Sequence, residues 1–357
     1  MDGAEFVNCF VDDSCELQQR SCYVGGIAGR INISAEWRAS AAENSVLAAF
    51  YSCTNSGALK VFSSGNVQIG GILGGASVGD STVKPRTIVS NCVNNATMSS
   101  TVNVGGNVGG IVAQRNANMA GKNGTLEIVD CVNNGDLLGI GTSVNYGGAL
   151  GDQWRLGCID IVRFVNRGRI GSGTGVNGDE IATGSSAGFV AVVEELYDTQ
   201  YIRVRDSANY GNITGGTYAG AFFGTVKGNG GHTHTYCTAT NCANYAEVDA
   251  VAETHYTGQV FGSFGSAISE GAARIYGAWN CYFPVRVFFG YNAGATIGGE
   301  DTCQFASDAD FSVPAAKNEL NAFATSDGYV TWIRGKNGPE LSCFAEPYSP
   351  KTIIVIR

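Results

Sequence analysis

Thiols, imidazoles and carboxylates are the groups in this chain most able to hold a metal or attack a substrate, so their spacing is the first test of chemistry. Of the three histidines, His232 and His234 flank Thr233 in a glycine-rich stretch that reads as an exposed polar loop, and His255 stands alone. Among the twelve cysteines, Cys9, Cys15 and Cys22 are spaced more widely than a zinc knuckle, with no second pair to support them. Neither a metal nor another cofactor is expected. Cys53, Cys92, Cys131, Cys242 and Cys281 recur at one repeat position, where Phe164 and Ser207 stand in other copies. A position that accepts Phe fills volume, so these thiols read as a buried ladder. Cross-coil disulfides stay open, because neighbouring coils bring Cα atoms within bridging range. Cys303 and Cys343 are the expected disulfide.

Parallel β-helix enzymes that cut polysaccharides collect acids from successive coils on one face, so acids would recur at one repeat position. Here Asp136, Arg169, Asn212 and Glu247 share a position with mixed chemistry, and Asp152, Asp179, Glu180, Glu194 and Glu195 fall elsewhere. No residue is assigned a catalytic role. For sugar binding, Asp152 and Trp154 are the nearest local match, an aromatic beside hydrogen-bonding groups. Inserts at 30–45, 113–124, 171–185 and 224–236 are the expected ligand-bearing loops. Glycosylation sequons stand at Asn32, Asn95, Asn123 and Asn212.

These side chains are positioned by a repeat. A small or apolar residue followed two places later by Asn recurs as Cys53/Asn55, Cys92/Asn94, Cys131/Asn133, Phe164/Asn166, Ser207/Asn209 and Cys242/Asn244, and Cys281 opens a further copy. Successive copies are 39, 39, 33, 43, 35 and 39 residues apart. A second landmark follows each Asn and centres on glycine, as in Gly70-Gly71-Ile72-Leu73-Gly74 and Gly109-Gly110-Ile111-Val112. Read by its glycine, this landmark continues as Ala219-Gly220-Ala221-Phe222 and Thr257-Gly258-Gln259-Val260. Alternating apolar residues before the first landmark (Leu126 and Ile128, Ile159 and Ile161) mark a short strand with one buried face. The Asn is expected to make the turn after it, since Asn tolerates left-handed backbone.

Three short strands per repeat cannot form a core alone; stacked about 4.8 Å apart, they can. The expected fold is therefore all-β: a parallel β-solenoid of seven to eight coils over residues 1–283, then a C-terminal cap over 284–357. A helix is expected near 308–324. Asn55, Asn94, Asn133, Asn166, Asn209 and Asn244 would then form a structural amide ladder. Ile353, Ile354, Val355 and Ile356 read as a strand that adds to this protein's own sheet or to a neighbouring molecule.

The repeats resemble the GLUG-motif proteins of bacterial and protist surfaces, named for Gly-Leu-hydrophobic-Gly. Gly71-Ile72-Leu73-Gly74, Gly26-Ile27-Ala28-Gly29 and Gly148-Ala149-Leu150-Gly151 carry the likeness, with Phe223 and Phe261 read at the position of its closing glycine. The resemblance spans about residues 20–343 and implies a cell-surface, adhesion-type role or an accessory region of a large secreted protease; it carries no catalytic residues.

Composition bounds the partners. Charged residues are only 15% of the chain and the net charge is −9, with no basic cluster, which argues against nucleic acid. Apolar runs are too short to span a bilayer as a helix. The N-terminus lacks the basic start and apolar stretch of a signal peptide, so either the protein is not exported by that route or the sequence is processed, partial or begins from an engineered start. The resulting expectation is a non-enzymatic extracellular or cell-surface protein that scaffolds, adheres or assembles. Its partners would be itself, other surface proteins or glycans. The alternative is a polysaccharide-active β-helix lyase or hydrolase.

Overall fold

The computed structural model describes residues 4–19, 23–32, 35–61, 66–77, 83–100, 105–116, 124–138, 143–154, 157–171, 184–194, 200–227, 236–250, 256–265, 275–285, 287, 289–292, 298–305, 313–335 and 338–344. The second coil shows the path that every complete coil follows. Val46–Tyr51 forms a strand of sheet A, Thr54–Asn55 of sheet B and Ala58–Val61 of sheet C. Asn66–Gly70 then adds to sheet D and Leu73–Ser77 to sheet E. Each coil therefore carries five short strands where three were expected, because the diglycine is a tight corner between two strands and the Asn segment, expected as a turn, is a short strand of its own. Among the described residues, sheets A to E hold eight, nine, seven, seven and eight strands. Every pairing within them is parallel and joins equivalent residues, such as Asn94 with Asn133 and Val108 with Tyr146. The protein is a parallel β-solenoid.

Two cores run along the stack. Sheets A and E share the larger one, through Phe50, Val89 and Ile128 on A and Leu73, Val112 and Leu150 on E. Sheets C and D enclose the smaller, through Leu59 and Met98 facing Ile69 and Val108. In section, A, B and C form an outer bracket, and the D–E corner inserts into it until its diglycine touches sheet B. A Cβ on Gly110 would lie 2.2 Å from the Gly148 carbonyl oxygen and 2.5 Å from Asn133 Cγ. Only glycine allows that approach.

The turn from A to B departs from expectation. The left-handed residue is not the ladder Asn but the one just before the Cys position. Asn8, Ser52, Asn91, Asp130, Arg163, Asp206, Asn241 and Asn280 all have φ between 50° and 55°. The ladder Asn residues lie in the extended strands of sheet B.

Strand register also corrects the reading of the late diglycine copies. Ala187 pairs with Gly220 and Gly220 with Gly258, so the second-glycine column runs Gly148, Gly188, Ala221, Gln259. Phe223 and Phe261 therefore continue the Leu150 and Val190 column, with rings stacked 5.2 Å apart. Gly224 and Gly262 follow as the closing glycines. Aligned by register instead of by glycine, the late copies shift by one residue.

The stack runs on past residue 283. After Tyr282–Phe283 the chain omits sheets C and D, crosses directly to Phe289–Asn292 on sheet E, and returns to sheet B at Gln304–Phe305. The helix Val313–Asp327 and the hairpin of Trp332–Arg334 with Pro339–Leu341 follow. They pack on the outer face of sheet B in the last coils, where Leu320, Ala324, Trp332 and Leu341 cluster with Ala208, Ala243 and Tyr282. No helix among the described residues is long and apolar enough to cross a membrane.

Candidate functional site

The polar candidates separate into ladders that bind coil to coil and one seam with unused capacity. The inner ladder is the Asn column of sheet B. Asn94 Nδ2 donates to Asn133 Oδ1 at 2.8 Å, Asn133 to Asn166 at 2.8 Å, Asn166 to Asn209 at 2.7 Å and Asn209 to Asn244 at 2.8 Å. Asn55 joins through Asn94 at 3.2 Å. The second amide hydrogen goes to a carbonyl two residues on, as from Asn133 to Gly135 at 3.0 Å. All six side chains are fully buried. At the N-terminal end Val11 occupies the column and can donate nothing, which leaves Asn55 Oδ1 without a partner. At the other end Asn244 Nδ2 donates to Gln259 Oε1 at 2.8 Å, so a glutamine standing in the diglycine column closes the ladder.

The Cys column lies beside it. Cys53, Cys92, Cys131, Cys242 and Cys281 are buried and free. Each thiol donates to the carbonyl two residues back, as Cys92 does to Ser90 at 3.3 Å. The column position also receives the backbone N–H of the coil before, with Ser207 Oγ serving Phe164 at 3.1 Å and Cys281 Sγ serving Cys242 at 3.4 Å. Burial pushes the Cys53 thiol up to about 11 and the Cys131 and Cys281 thiols well above their usual range. Such thiols stay protonated and are poor nucleophiles.

The expected disulfide is not formed. Cys303 is buried and extends the Cys column by one coil, beside Cys281, whereas Cys343 is an exposed thiol near Asp206 and Arg163. The cap folds back along the side of the stack, and that separates them.

The mixed position after the turn also staples coils. Asp136 takes both the backbone N–H of Arg169 at 2.8 Å and its guanidinium at 2.6 Å, and Asn212 Oδ1 takes the Glu247 N–H at 3.3 Å. Asn32, Asn95 and Asn212 are exposed. Asn123, His232, His234, His255, Cys22, Asp179, Glu180 and the segment Ile353, Ile354, Val355, Ile356 lie outside the described residues.

The seam lies between the outward faces of sheets D and E. Two columns meet there: Gln68, Asn107, Asn145 and Ser185 from D, and Gln114, Asp152 and Thr225 from E. Asn107 Nδ2 reaches Gln68 Oε1 at 2.9 Å and Asp152 Oδ2 at 3.1 Å, and Gln114 Nε2 reaches the same carboxylate oxygen at 3.3 Å. Asn145 Nδ2 donates to Asn107 Oδ1 at 2.8 Å, and Ser185 and Thr225 hydroxyls bond at 2.7 Å. Asp152 is 6% exposed and its Oδ1 has no partner. Burial, and then the nearby Glu194 charge, raise its pKa to about 7. Glu194 is itself paired with Lys227. The strand Leu150–Trp154 ends at Trp154, whose side chain lies outside the described residues.

The seam thus offers one near-neutral carboxyl among amides and hydroxyls. Sequence reasoning picked out Asp152 but missed its partners. The signal was present: the residue two places before the first glycine is Tyr23, Gln68, Asn107, Asn145, Ser185, Tyr218 or Tyr256, polar or aromatic in each copy.

A Gly-x-Ser-x-Gly spacing also occurs at Gly184-Ser185-Ser186-Ala187-Gly188. A nucleophile elbow needs a strand-to-helix turn that exposes its serine. Ser186 instead lies inside the strand Ser185–Ala187, fully buried.

The fold and these ladders define the class, a β-solenoid repeat protein. No family model and no curated protein matches the chain. A solved Bacteroides ovatus structure described as a "putative immunoglobulin A1 protease" is similar over 96% of this chain and 87% of that one, at 14% identity and a TM-score of 0.41. A likeness that slight bears on neither activity nor substrate.

Proposed function

We propose that this chain is a non-enzymatic extracellular or cell-surface protein of the GLUG-repeat kind, working as a scaffold or adhesin that binds glycans or other surface proteins. The observation that carries this reading is the use of its repeated polar side chains. The amides of Asn94, Asn133, Asn166 and Asn209 donate both to the next coil and to a carbonyl of their own, and none faces solvent. What recurs along the chain serves stacking, and what varies is left for recognition at loops and at the seam. The test is a screen of the purified protein against a glycan array and, in parallel, for polysaccharide cleavage. Saturable binding without released oligosaccharide supports the scaffold; turnover refutes it.

One observation favours the rival, a polysaccharide-active enzyme. A carboxyl held near neutrality with a free oxygen is the kind of group that serves as a general acid. If cleavage is found, Asp152→Asn abolishes it; activity that survives this change lies elsewhere.

A further inference from the structure

On the outward face of sheet A two arginines stand side by side. Along the strand Tyr201–Arg205, Ile202 and Val204 are buried in the larger core, so Arg203 and Arg205 face out. In the next coil the strand Tyr236–Thr240 pairs in register, which sets Thr238 beside Arg203 and Thr240 beside Arg205. The cap borders this square of side chains. Val330 N–H donates to Asp206 at 3.0 Å, and Tyr329, stacked on Phe323, supplies an aromatic wall. The result is a cavity of about 150 Å³ lined by Arg203, Arg205, Thr238, Thr240 and Tyr329.

Its donors are unspent. Arg86 and Arg203 on this sheet are each held by a carboxylate of a neighbouring coil, Glu127 and Asp160. Asp160 takes Arg203 Nε at 3.0 Å and Nη2 at 3.3 Å, which fixes the group over the Tyr201 ring and leaves Nη1 without an acceptor among the described residues. The Arg205 guanidinium is exposed and has neither an ion pair nor a hydrogen bond there. The Thr238 and Thr240 hydroxyls are also without partners among the described residues.

We infer that this pocket binds the carboxylate of a uronic- or sialic-acid residue in an acidic glycan, with Arg205 as the principal contact and Arg203 Nη1, Thr238 and Thr240 beside it. Guanidinium groups two residues apart on a strand start about 6–7 Å from each other, and a carboxylate between them takes charge-assisted bonds from both. Threonine hydroxyls donate and accept, as ring hydroxyls of a sugar require, and Tyr329 offers an apolar side. An acidic peptide fits less well. Peptides join sheets by strand addition, and both strands here are already paired on each edge. A polyanion is disfavoured too, because this one unpaired guanidinium sits in a chain of net charge −9. The inference rests on the glycan-binding reading above and gives it a ligand class and a place.

Amide NMR shifts of the isotope-labelled full chain test it, in titrations with methyl glucuronide, N-acetylneuraminic acid, neutral methyl glucoside and a hexaglutamate peptide. Saturable shifts at amides 203–205 and 238–240 are expected with a carboxylated sugar, and which of the two binds tells uronate from sialate. Arg205→Gln weakens that binding by about tenfold or more, and Arg167→Gln leaves it unchanged. The Arg205 side chain bonds to nothing in the fold, so its loss spares folding, and Arg167 is an exposed arginine outside the pocket. The inference is overturned if neither carboxylated sugar binds, if the glucoside binds as well, if hexaglutamate takes the pocket instead, or if Arg205→Gln binds like the parent. A glycan-array signal that survives Arg205→Gln removes this pocket and leaves the adhesin reading in place. Cleavage of a glycan whose binding Arg205→Gln abolishes does the reverse.

Discussion

At the residue scale, Asp152 stands out because its environment favours the uncharged form. Its folded pKa is about 7 against an ordinary 3.8, through burial and the neighbouring Glu194 charge. Between those values the native state holds a proton that the unfolded chain releases, so stability falls as pH rises. The contribution is complete below about pH 4 and lost by about pH 7 to 8, with a ceiling of about 4 kcal/mol. Asp152→Asn keeps the shape and removes the titration. Urea midpoints measured from pH 4 to 8 should decline in the parent and flatten in the variant, which is the more stable of the two at pH 8. A parallel decline in both would place the titrating group elsewhere. The sequence named Asp152 for its neighbour Trp154, but its real partners come from other coils. Asn107 lies 45 residues away, and local reading has no access to such contacts.

At the element scale, strands were legible where the alternation was strong and the corners were not. Leu126 and Ile128 announce their strand because one face is buried along its length. The diglycine hid a corner between two strands, because glycine carries no side chain to show which face it presents. Its late copies were misplaced for the same reason: Gly220 looks like Gly188 but pairs with Ala187. Crowding at this corner differs between coils. A Cβ at Gly110 would lie 2.5 Å from Asn133 Cγ, whereas at Gly148 the nearest ladder atom, Asn166 Cγ, is 3.0 Å away. Two coils beyond Gly148 the same column accepts Ala221, fully buried in the core that holds the stacked rings of Phe189 and Phe222. Gly110→Ala should therefore cost more than about 2 kcal/mol, by forcing backbone against backbone. Ala221→Gly should cost no more than about 1 kcal/mol, the usual loss from added chain freedom. Paired denaturation curves check this, and equal losses would mean that the corner is not the tight point.

At the scale of the whole molecule, a solenoid distributes its stability over nearest-neighbour interfaces, so damage should stay local. The cap adds a long-range bond set to that arrangement. Trp332 is buried, its indole N–H donates to Asn241 Oδ1 at 2.6 Å, and its backbone N–H donates to Asn321 Oδ1 at 2.6 Å. Asn241 in turn donates to Asp206 and to the Val330 carbonyl, and Asn280 donates to the Leu320 carbonyl. The cap therefore holds the left-handed corners of three successive coils from outside. The sequence suggested a cap but not its placement, because nothing in residues 313–341 names the sheet B face they meet. Trp332→Ala removes the large buried ring and leaves Asn241 Oδ1 with one fewer donor, a loss of about 3–5 kcal/mol at that site. Amides of 206–210, 241–245 and 280–283 should lose exchange protection by tenfold or more, while those of 92–94 and 131–133 stay unchanged. Uniform loss along the whole stack would show instead that the coils unfold as one cooperative unit, with the cap setting the stability of all of them.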